Sequence, residues 1–301
     1  MIKRIRRKLY KLFHPPLGEV LMLHRVIPER SILSANRELE VTPDFLEKII
    51  QQYIAEGRPI ISLDEVHEIV QRKKKLKKPF VCFTLDDGYR DNYDYAYPIF
   101  KKYNCPFAVY VPTGFLEREG MLWWYEMADI LMENTSIKLT DGKVYSSTNI
   151  VEKQHAFWEI RERISHETGS NCNELFRSLF SEYKGSSKFE LEQYILTKEQ
   201  VQELSNDPLC TIAAHGVSHD YLTNMSATQQ HTEIADSKNK LEGIIGQNVL
   251  HFAYPYGKYN DETIRIVSDL GFRTAVLAVG GKVRLNESVY KINRRILFEN
   301  E

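Results

Sequence analysis

Short hydrophobic runs alternate along the chain with segments whose apolar residues recur at helical spacing. The runs predict strands at 20–26, 59–62, 80–85, 106–111, 210–214, 249–253, 272–279 and 290–297. Helical patterns lie between them at 42–56, 91–103, 197–206, 226–245 and 261–269. About seven buried strands separated by helices are typical of a parallel sheet. The pattern therefore predicts an α/β fold, most simply a distorted (β/α)7-type, TIM-barrel-like barrel.

The alternation is interrupted between residues 115 and 197. This stretch contains helical patterns and a candidate hairpin at 137–146, but no linker, and the strand–helix alternation resumes after it. We interpret it as a helical insertion or lid in one barrel domain, residues 18–301, that follows a basic segment, residues 1–17. Trp123 and Trp124 begin the insertion, and core or lid packing is favoured for them over an aromatic platform for a sugar ring.

The composition suits a globular protein with a substantial core, at 43% hydrophobic and 27% charged residues. The formal net charge is −1, so no overall positive field favours nucleic acid as a partner. The four cysteines form no CxxC pair, which favours buried free thiols in a reducing compartment.

The first 13 residues, MIKRIRRKLYKLF, interleave basic and apolar residues. A secretory signal has a continuous apolar run after its charges, so we expect a cytoplasmic protein. Two interpretations of the segment stay open: a basic amphipathic helix on an anionic membrane surface, and a short helix packed on its own domain. A second basic run at 73–78 is expected to be a solvated loop.

Two adjacent carboxylates, Asp86 and Asp87, end the predicted strand at 80–85. Buried acids are costly unless they are paired, so a cation could stabilise one while the other serves as a base. The alternative is a turn followed by a helix cap, which also favours Asp and Gly. Further along, Asp91 and Asp94 are expected to cap and charge the next helix.

Two histidines, His215 and His219, follow the predicted strand at 210–214. If His215 ends the strand and the next turn is helical, both imidazoles point the same way, which suits two ligands of one metal ion. A third segment, AYPYG at 253–257, follows another strand, and its Pro and Gly predict a sharp loop that can present a backbone N–H to an oxyanion.

These segments, TLDDG, HGVSH and AYPYG in this order, resemble the motifs of the polysaccharide deacetylase family, carbohydrate esterases with a NodB homology domain. The resemblance covers roughly residues 18–114 and 198–297. It implies that Asp87, His215 and His219 hold a divalent metal, most often zinc in the family. It further implies that Asp86 is the general base that activates a metal-bound water, and that the Tyr256 N–H helps hold the oxyanion.

Two family features are missing from the chain. Ala253 stands where the family has an arginine that orients the base, and no histidine follows His251 to serve as the general acid. The segment LHRV around His24 resembles a permuted branch of the family, in which an N-terminal histidine takes the acid's role. We therefore expect His24 to protonate the leaving amine. Arg295 is the first candidate for the missing arginine, with Arg294 second.

The resemblance implies a hydrolase of carbon–nitrogen, non-peptide amide bonds that removes acetyl groups from N-acetylated sugars of a polysaccharide or glycan precursor. A nucleotide-linked or lipid-linked sugar would fit a cytoplasmic enzyme. The alternatives are a catalytically inactive metal- or glycan-binding homologue, an O-acetyl esterase, and a metal-dependent phosphoesterase, which would usually need more ligands. The sequence leaves the sugar, the physiological metal and the oligomeric state open.

Overall fold

A computed structural model describes residues 16–72, 74–166, 171–184, 189–278 and 280–299. Its strands, in chain order, are β1 (Pro16–Leu23), β2 (Arg25–Val26), β3 (Glu40–Val41), β4 (Phe80–Leu85), β5 (Phe107–Val111), β6 (Ser136–Lys138), β7 (Val144–Ser146), β8 (Cys210–Ala214), β9 (His251–Ala253), β10 (Thr274–Val276), β11 (Val283–Arg284) and β12 (Arg294–Ile296).

The helices share the surface of the molecule with the loops. In chain order they are α1 (Ser34–Arg37), α2 (Pro43–Ala55), α3 (Leu63–Val70), α4 (Tyr97–Lys102), α5 (Thr113–Leu116), α6 (Trp123–Glu133), α7 (Ile150–His166), α8 (Cys172–Leu179), α9 (Leu191–Tyr194), α10 (Lys198–Asn206), α11 (Ala227–Ile245) and α12 (Asp261–Asp269). None of these helices combines the length and the apolar character that a membrane crossing requires.

Seven parallel strands curl into a distorted barrel, as the sequence predicts. Their order is β10-β9-β8-β5-β4-β1, with β12 parallel to β1 on its other side. A parallel bridge joins Ile292, just before β12, to Val276 of β10, and so connects the two ends of the sheet. The short strand β11 adds an antiparallel pair at the start of β1.

The barrel strands are buried on both faces, which is why they read as continuous hydrophobic runs. One set of side chains, with Val20, Cys82 and Ala213 among them, forms a cluster that also includes α3. The alternate positions, such as Phe83 and Val109, belong to the larger cluster that the surrounding helices cover. The four cysteines are free and buried, as predicted.

Two predicted elements differ from the structure. The strand predicted at 59–62 is reduced to one bridge, Ile60 to Val81, because Pro59 has no N–H and the capping box of Ser62 already begins α3. The helix predicted at 91–103 begins as a π-helical turn over Asn92–Ala96 before α4. Pro98 cannot donate the α-helical hydrogen bond at that point, which favours the wider turn.

The insertion lies between β5 and β8, which are direct neighbours in the barrel. It contains the predicted hairpin, β6 with β7, and the helices α6 to α9. At the other end of the chain, β1 already begins at Pro16, inside the segment predicted to precede the barrel. The predicted amphipathic helix over 1–13 lies outside the described residues.

Candidate metal centre and active site

The residues singled out by their motifs follow the carboxyl ends of neighbouring barrel strands. Asp86 and Asp87 come directly after β4, His24 after β1 and His215 after β8. Because these strands are parallel, their carboxyl ends meet at one end of the barrel. The topology therefore brings the predicted site residues to one place.

Asp87, His215 and His219 form a buried cluster. The His219 Nε2 lies 3.2 Å from Asp87 Oδ1, and the His215 Nε2 lies 3.5 Å from the same oxygen. One ligand atom from each of the three residues lies within 4.8 Å of the others. The structure thus brings together the three residues that the motifs predict as metal ligands.

The cluster fits a divalent metal ion. Asp87 Oδ1 is buried and, apart from the two histidine nitrogens, has no polar partner among the described residues, so a cation shared by the three groups would satisfy it. Ligand atoms around a tetrahedral zinc ion lie about 3.3 Å apart, close to both measured separations. His215 directs its Nδ1 to the Ala253 carbonyl oxygen, 2.8 Å away, which leaves Nε2 free to bind a metal.

The backbone at the cluster adopts a conformation that side chains rarely take. Asp87 and His219 have φ angles of 71° and 54°, in the left-handed region. Such strain is retained only where the surroundings over-determine it, and it concentrates at functional sites. Burial acts to raise the pKa of the Asp87 carboxyl, but attraction to His219 and His215 outweighs it, and the pKa lies well below its usual range.

The loop between the two histidines is held at several points. The Glu233 carboxylate accepts hydrogen bonds from the backbone N–H groups of Val217 and Ser218 and from the Ser218 hydroxyl. The Gly114 N–H donates to the Val217 carbonyl oxygen at 2.9 Å. The sequence analysis did not identify Glu233, which lies on α11 and joins no motif.

Asp86 is paired with Arg294, not with Arg295. The Arg294 guanidinium donates two parallel hydrogen bonds to the Asp86 carboxylate, at 2.7 and 2.6 Å, and its Nε donates to the Leu277 carbonyl oxygen. Burial acts to raise the pKa of Asp86, but the attraction and hydrogen bonds of Arg294 hold it below its usual value. A buried, ionised carboxylate at this position is available to accept a proton.

Arg295, the first candidate from the sequence, lies on the opposite face of β12. Its guanidinium binds Glu19 at 2.9 Å and the Tyr53 hydroxyl at 2.6 Å. Successive side chains of a strand point to opposite faces, so only one of the two adjacent arginines can reach Asp86. The predicted order of the two arginines is therefore corrected: Arg294 occupies the interior position.

His24 lines the same cavity as Asp86 and the metal-ligand cluster. Burial, with the positive charge of Arg294, lowers its pKa, against the opposing attraction of the two aspartates. The backbone at His24 is fixed by Asn92, whose side-chain amide donates a hydrogen bond to the His24 carbonyl oxygen at 2.8 Å. The structure thus places His24 beside the cluster from the opposite end of the chain.

Asp91 anchors the same segment and does not cap a helix, which corrects the prediction for this residue. Its carboxylate accepts hydrogen bonds from the Val26 N–H at 2.8 Å and from Arg25 Nε at 2.7 Å. Arg25 in turn lies over three tyrosine rings at 4.9 to 5.3 Å. Sequence analysis missed this network because Arg25 and Asp91 lie 66 positions apart and share no motif.

Tyr256 lies in the sharp turn that follows β9, with a φ angle of 54°. Its ring is 4.7 Å from the His219 ring and stacks on Tyr221 at 4.2 Å. Its hydroxyl accepts a hydrogen bond from the Trp123 indole at 3.3 Å. The predicted turn therefore borders the cluster and is tied to the insertion.

The cavity over the cluster has a volume of about 260 Å³. The insertion supplies part of its wall through Trp123, Trp124 and Arg161. Both tryptophans are at most 7% exposed, in line with the packing role expected for them. The site is thus a small pocket in which aromatic, aliphatic and charged side chains meet, with the insertion as part of its wall.

The sequence matches a known protein family and a relative within it. A family model described as polysaccharide deacetylase matches residues 73–275. The Bacillus subtilis (strain 168) protein YxkH, provisionally named a polysaccharide deacetylase, is 21% identical over 275 residues, which are 91% of this chain and 69% of YxkH.

Solved structures share the fold. The Streptococcus pyogenes deacetylase PplD, solved in complex with acetate, superimposes with a TM-score of 0.65 at 24% identity, over 94% of this chain and 93% of PplD. IcaB from Ammonifex degensii superimposes with a TM-score of 0.60 at 17% identity, over 94% of this chain and 92% of IcaB.

Proposed function

The chain belongs to the polysaccharide deacetylase family, and from that membership we propose that it is a metal-dependent hydrolase of N-acetyl groups. Its substrate would be an N-acetylated sugar of a polysaccharide or glycan precursor. One observation carries the proposal: the cluster of Asp87, His215 and His219 lies in one cavity with the paired base Asp86 and with His24.

Asp87, His215 and His219 would hold the metal, and zinc suits a site of one carboxylate and two imidazoles with positions left open. When bound there, the metal acts as a Lewis acid that acidifies water and polarises the acetyl carbonyl. Asp86 takes the proton from the water as its oxygen adds to the acetyl carbon. Arg294 keeps the Asp86 carboxylate ionised and oriented through its two hydrogen bonds.

Two further steps, stabilising the oxyanion and protonating the leaving nitrogen, involve Tyr256 and His24. The backbone N–H of Tyr256 stabilises the negative charge that develops on the acetyl oxygen. His24 donates a proton to the sugar nitrogen as its bond to the acetyl carbon breaks. The products are a free amine on the sugar and acetate. The same arrangement would cleave an ester, so an O-acetyl sugar is the nearest alternative substrate.

The two departures from the family motifs do not require an inactive protein. Arg294 approaches Asp86 from β12, so an arginine holds the base although Ala253 occupies the usual position. His24 lines the cavity from β1, where it can serve as the acid that the chain's C-terminal part lacks. Arg294 comes from β12, which pairs with β1, and His24 follows β1, which pairs with β4.

The test is acetate release from N-acetylated oligosaccharides, nucleotide sugars and lipid-linked sugars, measured after chelation and again after zinc is restored. We expect zinc to restore activity. Asp87→Ala and His219→Ala should lower bound metal about tenfold or more, measured by elemental analysis. Asp86→Asn should keep the metal but lower turnover by roughly 10²–10⁴-fold.

Each result can contradict the proposal. Acetate release that survives complete chelation would exclude metal dependence. Metal that stays bound in both ligand variants would exclude the cluster as the metal site. Glycan binding without acetate release from any substrate would favour the catalytically inactive homologue.

A further inference from the structure

A surface groove of about 600 Å³ continues from the reaction cavity. Arg161 and Tyr221 line both the cavity and the groove. The remaining residues of the groove lining are Trp158, Glu162, Ser165, Thr223, Asn224 and Lys258. A glycan whose acetyl group reaches the metal-ligand cluster would therefore place its neighbouring unit in this groove.

Arg161 contributes a positive charge to the groove, and no carboxylate of the described residues pairs with it. Its guanidinium carbon lies 4.9 Å from the ring centroid of Trp158. Across the described residues it forms no ion pair, whereas Arg163 on the same helix binds Asp141 at 2.6 Å. The Arg161 charge rests on an aromatic face, which leaves its hydrogen-bond donors available to an anion.

The other groups of the groove are suited to an acidic sugar. Lys258 adds a second, exposed cation, and Glu162, the acid of the lining, already has an interaction partner. The Trp158 side chain is 39% exposed, although large aromatic groups are usually buried. An exposed aromatic face beside hydroxyl and amide groups is a surface on which a sugar ring can stack.

We propose that the substrate is an acidic glycan and that Arg161 determines this specificity. The inference rests on the proposed function and adds the substrate class: the unit next to the acetylated sugar carries an anionic group that binds Arg161 and Lys258. A uronic acid carboxylate and a sugar-linked phosphate share this chemistry. Trp158 stacks on the same unit.

Isothermal titration calorimetry of the 301-residue chain, with and without added zinc, tests the proposal with three probes. Chitotetraose is neutral, a hyaluronan tetrasaccharide carries carboxylates next to N-acetylglucosamine, and UDP-N-acetylglucosamine carries phosphates. We expect at least one anionic probe to bind about tenfold more tightly than chitotetraose at low salt. The anionic probe that is preferred identifies the source of the charge.

Arg161→Gln should abolish the preference for the anionic probe, whereas Arg161→Lys should retain part of it. Arg265→Gln is the matched control, because Arg265 is an exposed arginine on the outer helix α12 that lines neither cavity nor groove. Thermal melting establishes that each variant is folded. Equal binding of all three probes, or a preference that persists in Arg161→Gln, would overturn the proposal.

The outcome is distinguishable from that of the proposed function. Binding selectivity is read without turnover, while acetate release from each probe reports the deacetylase reaction. Selective binding with no acetate release would leave the acidic-glycan groove standing and reject the hydrolase. Acetate release without charge selectivity in binding would support the hydrolase and reject the acidic-glycan groove.

Discussion

At the scale of single residues, pairing with Arg294 decides whether Asp86, the proposed base, is ionised. Burial favours the neutral acid, and the charge and the two hydrogen bonds of Arg294, with smaller contributions from His215 and His24, hold the pKa of Asp86 below its usual value. Removing one partner of a buried pair leaves the other uncompensated, which is strongly unfavourable. The acid side of the pH–rate profile is therefore sensitive to Arg294.

Arg294→Gln should shift the acid limb of the kcat profile to higher pH. Without the guanidinium, burial dominates and raises the pKa of Asp86, so the base becomes protonated at a pH where the unsubstituted enzyme is still active. The pH dependence of acetate release measures the shift. Arg295→Gln is the matched control, since its guanidinium binds Glu19 on the other face. If the acid limb of the kcat profile lay at the same pH in both variants, Arg294 would not be the group that keeps Asp86 ionised.

His24 is the second residue whose role can be separated from metal binding. His24→Ala should lower kcat by roughly 10²–10⁴-fold, because the leaving amine then has no proton donor. Metal content should stay unchanged, since His24 is not among the three clustered ligands. His231→Ala, on the exposed side of α11, serves as the control. Turnover that survives in His24→Ala would assign the proton to another group.

At the scale of elements, the metal-ligand cluster depends on how α5 meets the loop between the two histidines. A Cβ atom at Gly114 would lie 2.7 Å from the Val217 carbonyl oxygen, closer than side chains approach backbone. The same glycine donates its N–H to that oxygen. The contact is backbone to backbone, so a side chain cannot relieve it by changing rotamer.

Gly114→Ala should therefore displace the loop and weaken metal binding by about 10–100-fold, the range for groups that orient metal ligands. Competition titration with a metal chelator measures the affinity. Gly243→Ala is the matched control, because a Cβ there meets nothing within 4 Å and lies on helix α11. Wild-type metal affinity in Gly114→Ala would show that the loop accommodates the methyl group.

At the scale of the whole molecule, the fold brings two basic segments together. The pairing of β1 with β4 places Gly18 beside Phe80. Pro16, the first residue of β1, therefore lies next to the loop that precedes β4. Five cations line a groove there with Pro16 and Leu17: Arg72, Lys74, Lys75, Lys77 and Lys78. In the sequence, further basic residues between positions 3 and 11 precede Pro16.

This edge should bind anionic membranes, which would favour the membrane-surface interpretation among the two left open for residues 1–13. We expect the protein to co-sediment with vesicles containing phosphatidylglycerol but not with phosphatidylcholine vesicles, and to be released by salt. Lys75→Gln/Lys77→Gln should reduce binding about tenfold or more, at about 1 kcal/mol per basic residue. Lys138→Gln/Lys184→Gln, two exposed lysines of the insertion, is the control. Binding that ignores lipid charge would reject the expectation.

The barrel could be predicted from the amino-acid sequence alone, because its strands are buried on both faces and their hydrophobic runs can be recognised without knowing their neighbours. The candidate metal ligands could be located in the same way, since Asp87, His215 and His219 each follow a strand within a short motif. Local patterns carry this information because a strand's end and its turn are specified by adjacent residues.

Only the tertiary structure decided which arginine holds Asp86. Residues 294 and 295 are both arginine, and the strand register that turns one inward depends on β1, where Val20 pairs with Arg294 across 274 positions of the chain. The same holds for Asp91 with Arg25 and for Glu233 beneath the histidine loop. Such contacts join distant segments whose charges gain a partner only when the barrel closes, so no local pattern could reveal them.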